Sequence, residues 1–157
     1  MSRAFVSEEA EEARAAMLPE RPVSLHPNLV TPSGLAQIEA ALASLRAELA
    51  EVAPDDDARP RLLRDLRYWQ ARHTTAQLVE PPGPAPQEVA FGVLVSIRRG
   101  GGAISQFRIV GEDEADPAQA RLSYVAPLAV ALQGAGVGET VEQGGGREPV
   151  QVVAIEG

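Results

Sequence analysis

The stretch Thr31 to Pro60, TPSGLAQIEAALASLRAELAEVAPDDDARP, decides how the rest of the chain is read. Thr31 before Pro32 is a helix start: threonine can accept from an exposed N–H, and proline lacks the donor that would go unpaired at the first helical position. The apolar residues that follow are Leu35, Ile38, Leu42, Leu45, Leu49 and Val52, spaced 3, 4, 3, 4, 3. That alternation is the seam of a coiled coil. Beyond the interruption DDDARP, Leu62, Leu66, Trp69, His73 and Ala76 repeat it as 4, 3, 4, 3. Two helices with matching seams and a short connection fold back on each other, which predicts an antiparallel hairpin over residues 31–79. At 1.5 Å per residue, helices of about 18 to 20 residues run roughly 27–30 Å and leave Asp55, Asp56 and Asp57 at the turn.

Working outward, residues 1–30 are acidic and then broken by Pro19, Pro22 and Pro27. They predict a flexible arm with a short helix over Glu8 to Met17. VEPPGPAPQE (Val79 to Glu88) cannot extend a helix, and Glu80 to Glu88 is read as a stiff linker and domain boundary. After it the hydrophobic period falls toward 2. Strands are expected near Val89 to Arg98, Ile104 to Val110, Arg121 to Tyr124, Glu139 to Glu142 and Val150 to Ile155. Gly100 to Gly102 and Gly144 to Gly146 supply turns, and Pro127 to Gln133 reads as a short helix stopped by Gly134. The fold class is therefore α+β: a helical hairpin followed, over residues 89–157, by a small antiparallel sheet with one short helix.

Composition excludes several function classes. The net charge is −8 over 157 residues, with fourteen basic residues that are all arginine. Such a balance argues against sequence-specific DNA binding, which needs a clustered positive surface. Cysteine is absent, so there is no thiolate chemistry and no zinc–sulfur site. No apolar run reaches the roughly 18 residues of a membrane helix. The expected location is the cytoplasm, with no membrane contact. His26 and His73 are not spaced as a metal pair. No nucleophile–base motif is present, and no cofactor or catalytic residue is predicted.

Ordered together, RIVGEDEAD (Arg108 to Asp116), LSYVAPLAVAL (Leu122 to Leu132) and GVGETV (Gly136 to Val141) resemble the Gre family of bacterial transcript-cleavage factors. NLVTPSGLAQIEAAL and TAQLVEP resemble the start and end of that family's coiled coil. The resemblance implies an FKBP-like C-terminal domain that docks on RNA polymerase, and a coil that enters the polymerase's secondary channel. There the acidic tip would help hold a second active-site magnesium ion and promote hydrolysis of nascent RNA. The polymerase would be the enzyme and the Gre protein would not.

On that basis Asp55, Asp56 and Asp57 are candidates for the Mg contact, against a reading as helix cap and turn. Glu112, Asp113, Glu114, Asp116, Ser123 and Pro127 are docking candidates, with Ala126 and Val130 departing from the family pattern. Arg61, Arg64, Arg67 and Arg72 are candidates for RNA or channel contact, the alternative being ion pairs with Glu39, Glu48 and Glu51. The family's coil is several turns longer than the 47 residues between Thr31 and Val79 allow. The expected function is thus a polymerase-binding elongation regulator, monomeric, that occupies the channel. Two alternatives remain: a true cleavage-stimulating factor using the tip aspartates, or a module for another partner such as nucleoside diphosphate kinase. Prolyl isomerase activity would need an aromatic-lined pocket, and the second domain offers only Phe91, Phe107 and Tyr124.

Overall fold

A computed structural model describes residues 18–157, and the chain divides into two units. The expected helix over Glu8 to Met17 and the first part of the arm lie outside the described residues. The first unit holds residues up to Leu25 together with Ala36–Thr75. Its helices are α1 (Pro32–Glu51, 20 residues) and α2 (Arg59–Thr75, 17 residues). Ile38, Leu42 and Leu62 are buried, while Leu45, Leu49, Leu66 and Trp69 are half-buried. The 3–4 spacing therefore does form a seam. His73 Nε2 lies 3.5 Å from Glu39 Oε1, tying the last turn of α2 to the second turn of α1, as an antiparallel pair requires.

The seam reading fails at one position. His73 is 46% exposed, and its neighbour Arg72 is the buried residue at 2%. The ring of His73 reaches a carboxylate at the rim, whereas the long apolar stem of an arginine can be covered. A second face of α2 also carries contacts that its apolar pattern did not announce. The Arg21 guanidinium stacks 3.8 Å from the centre of the Tyr68 ring and 5.7 Å from that of Trp69, so the segment at Glu20 and Arg21 packs on α2 beside the seam.

The second unit holds His26–Leu35 and Ala76–Gly157. Its main sheet has β3 (Leu94–Arg99), β4 (Ile104–Val110), β5 (Arg121–Ser123), β6 (Thr140–Val141) and β7 (Val150–Glu156), in the order β5-β4-β3-β7-β6. Gly100 and Gly101, with φ of +50° and +79°, turn β3 into β4. One helix, α3 (Pro127–Leu132), starts at proline and ends before Gly134, whose φ is +81°. Val93, Val95, Ile97, Ile109, Leu132, Val150 and Val152 form the core. Phe107 packs against it, and Phe91 meets Tyr124 edge to face at 5.6 Å.

This is the α+β class expected, with three corrections. The sheet is mixed, because β4 and β5 run parallel. Their connection, residues 111–120, carries a turn of 3-10 helix (Pro117–Gln119) that lets the chain re-enter in the same direction. Val89 to Val93 are not strand, although Val89 and Val93 are fully buried. Instead Val89 exchanges backbone hydrogen bonds with Gly134 and Ala135 beyond α3. Finally, β1 (Leu29–Val30) and β2 (Gln77–Leu78) form a separate parallel pair. Gln77 N–H donates to Asn28 and Val79 N–H to Val30. These bonds draw the end of the expected arm into the sheet unit. They also put the expected boundary at 80–88 inside that unit.

Candidate functional site

At the α1–α2 connection Ala53 to Asp57 are exposed. Asp56 folds the turn that enters α2: its Oδ1 accepts from the N–H of Ala58 at 2.8 Å, and its carbonyl accepts from Arg59. That is the local side-chain-to-backbone bond aspartate favours before a helix. Asp55 and Asp57 flank it as exposed carboxylates. Among the described residues no three His, Asp or Glu side chains converge as a metal site. By themselves the aspartates can offer single carboxylates to an ion held elsewhere, and no cage.

The arginines of α2 are engaged within their own unit. Asp65 lies 3.2 Å from Arg64, 3.7 Å from Arg21 and 4.0 Å from Arg61. Arg67 holds Glu20 with three hydrogen bonds of 2.6 to 3.1 Å. Those bonds hold the Glu20 carboxyl below the usual range and push the Arg67 guanidinium up. Glu39, Glu48 and Glu51, the partners expected from sequence, are not the ones used; of these, Glu39 pairs with His73. Arg72 is buried, so it presents no cation to a ligand. Arg61, the most exposed of the four candidates at 56%, shares Asp65 with two other arginines.

The acidic run after β4 turns inward. Glu114 is 6% exposed, and its Oε1 accepts from Thr31 Oγ1 at 2.5 Å. Thr31 Oγ1 in turn accepts from the N–H of Gly34 at 2.9 Å. A carboxylate, a hydroxyl and the first turn of α1 thus form one clasp, with the negative charge where the helix dipole favours it. Gly34 has a steric reason to be glycine, since a Cβ there would stand 2.8 Å from Glu114 Oε1. Gly111 has a stronger one: a Cβ would stand 2.2 Å from the Leu29 carbonyl oxygen of β1. Asp116 Oδ1 accepts from Ala118 N–H and starts the 3-10 turn. Ser123 Oγ accepts from Val125 N–H at 3.3 Å.

Of the six docking candidates, Glu114, Asp116 and Ser123 therefore have work inside the unit. Glu112 and Asp113 are half-buried, and Pro127 is exposed at the start of α3. The residue sequence reasoning undervalued is Val130. In the sequence it counts only as a departure from the family pattern, yet it is a large apolar side chain left 61% exposed on α3. Its signal was available: in PLAVAL, Ala129 and Leu132 take the buried face and Val130 falls opposite.

Residues 84–157 match the family described as transcription elongation factor GreA/GreB, C-terminal part. A transcription elongation factor GreB of Neisseria meningitidis serogroup A is 35% identical over 96 residues, 59% of each chain. A GreA of Methylococcus capsulatus is 32% identical over 94 residues, 57% of this chain and 60% of the relative. The chain spans about three fifths of the length of these curated relatives. A GreA/GreB structure from Nitrosomonas europaea aligns with 84% of this chain and 99% of its own, at 19% identity and a TM-score of 0.41.

Proposed function

Since this chain belongs to the GreA/GreB family through its residues 84–157, we propose that it is an elongation regulator that binds RNA polymerase, acts through the secondary channel and performs no chemistry of its own. The observation that carries the regulatory reading is the hairpin's length. Helices of 20 and 17 residues run about 30 and 25 Å at 1.5 Å per residue. Ten fewer residues per helix than a full cleavage factor would withdraw the tip by roughly 15 Å. A carboxylate binds magnesium at about 2 Å, so a gap of that order ends the contact.

The electrostatics of α2 favour the same reading. Arg61, Arg64 and Arg67 already have carboxylate partners in Asp65 and Glu20. Capturing RNA would mean displacing them. Docking would fall to the exposed part of the segment after β5, where Pro127 and Val130 present apolar surface. The carboxylate pair Asp55 and Asp57 would face basic or metal-bearing surfaces in the channel.

The test uses purified bacterial RNA polymerase in a backtracked complex. The protein should co-purify with core polymerase and compete with a full-length Gre factor for cleavage stimulation. The double variant Asp55→Asn/Asp57→Asn, which leaves the Asp56 turn intact, should change RNA cleavage less than about threefold, under 1 kcal/mol of barrier. Strong stimulation abolished by that variant would make the protein a true cleavage factor. Failure to co-purify would remove polymerase as the partner.

A further inference from the structure

The sheet unit contains a cleft of about 650 Å³, within the range that holds small ligands. Its floor is the face of the sheet opposite the core. Arg108 on β4 and Arg121 on β5 are register partners in the parallel pair, so their side chains leave the same face. Both are half-buried and both line the cleft, with Gln106 and Gln119 beside them. Arg108 Nη1 donates to the Gly92 carbonyl at 2.7 Å, which fixes one arm of its fork. Among the described residues no hydrogen bond or ion pair engages the Arg121 guanidinium.

Like charges directly opposite on neighbouring strands are unfavourable, and among the described residues no carboxylate pairs with either guanidinium: Asp116, the bridge partner of Arg121, has its Oδ1 accepting from Ala118 N–H. In the same cross-strand row Arg108 pairs with Leu94, and Leu94 with Glu156. At about 4.8 Å per strand, that carboxylate sits two strands away from Arg108 and three from Arg121. Glu114 also lines the cleft, but its Oε1 is bonded to Thr31. The first turn of α1 is already satisfied by the same clasp and is not counted as an anion site. Leu94 on the same floor, with Pro81 and Val79, gives the cleft an apolar wall.

We infer that this cleft binds a small phosphorylated ligand with a flat apolar body, a nucleotide, whose phosphates bridge Arg108 and Arg121. Guanidinium forks match phosphate oxygens in pairs, and a phosphate with two negative charges would offset both arginines at once. The glutamines can serve the ligand's remaining donors and acceptors, and the apolar wall can cover a base. The inference concerns a site apart from the tip and from α3, and stands whether or not the polymerase reading does.

Calorimetric titration of the full chain tests it, with GDP, inorganic pyrophosphate, guanosine and citrate as probes. GDP should bind saturably and more tightly than pyrophosphate, while guanosine and citrate bind more weakly than either. Arg121→Gln should weaken GDP about tenfold or more, the usual effect of losing a charge-assisted contact. Gln106→Glu, which adds a carboxylate at an exposed lining position, should weaken it similarly through repulsion. Both variants must keep the parent's melting temperature; the Arg121 side chain makes no internal hydrogen bond or ion pair, and Gln106 is a second, independent position. No saturable GDP binding at millimolar concentration, or affinity untouched by both variants, overturns the site. Citrate matching pyrophosphate overturns the phosphate assignment, and pyrophosphate matching GDP overturns the nucleotide.

Discussion

Replacing Thr31 by alanine removes the one group that both caps α1 and satisfies Glu114. Loss of a threonine N-cap costs about 1 kcal/mol. Glu114 stays 6% exposed and loses its hydroxyl donor, which adds roughly 1–3 kcal/mol for a buried acceptor left unmet. The sum is about 2–4 kcal/mol, and at 2–4 °C per kcal/mol the melting temperature should fall by about 4–16 °C. Glu114→Gln keeps the shape and an acceptor but removes charge from the helix N-terminus, so it should cost only about 1 kcal/mol. Because both substitutions act on one clasp, a double-mutant cycle should return a coupling of about 1 kcal/mol or more. Urea unfolding of the four proteins gives the energies, and amide exchange at Gly34 reads the clasp directly. Coupling below about 0.5 kcal/mol, with Gly34 exchanging equally fast in Thr31→Ala and parent, would refute the clasp.

Gly111→Ala drives a Cβ onto the Leu29 carbonyl oxygen, and because that atom is backbone, β1 itself must move. It should cost about 3 kcal/mol or more and raise amide exchange at Gln77 and Val79, which donate to the β1 segment; parental exchange at both would sink the explanation. The Glu20–Arg67 pair predicts a pH effect. A carboxyl held low in the folded state adds stability above its unfolded pKa, and loses it as pH falls through the folded value. Carboxyl NMR should show Glu20 titrating below the usual range in the parent and back within it in Arg67→Gln. An unchanged titration would mean the pair is not formed in solution. Both groups are exposed, so added salt should erase most of the difference.

How far the sequence could be read follows from the range of each signal. The hairpin was legible because a 3–4 repeat is local and runs through eleven positions, and the Thr31 cap because its acceptor and donor lie three residues apart. The parallel β4–β5 pair was not, since three residues of β5 carry no direction. Nor were β1 and β2, at two residues each, where no alternation can show. The arginine partners were misread for a related reason. Facing helices suggested Glu39, Glu48 and Glu51, whereas the charges are met by Asp65 on the same helix and by Glu20, 47 positions earlier in the chain.

RIVGEDEAD shows why the site was less legible than the fold. An acidic run on a loop reads as solvated surface ready for a partner. In the folded unit its glycine admits the Leu29 carbonyl, its third acid clasps Thr31 and its fourth starts the 3-10 turn. A carboxylate buried against a helix cap cannot also meet a partner's cation without breaking that cap, which makes these residues markers of architecture first. The chemistry left for recognition is what the fold does not use: the outer face of Pro127 and Val130 on α3, the exposed carboxylate of Asp55, and the guanidinium of Arg121 in its cleft. None of these stands out in a linear reading, because what distinguishes them is that the fold leaves them over.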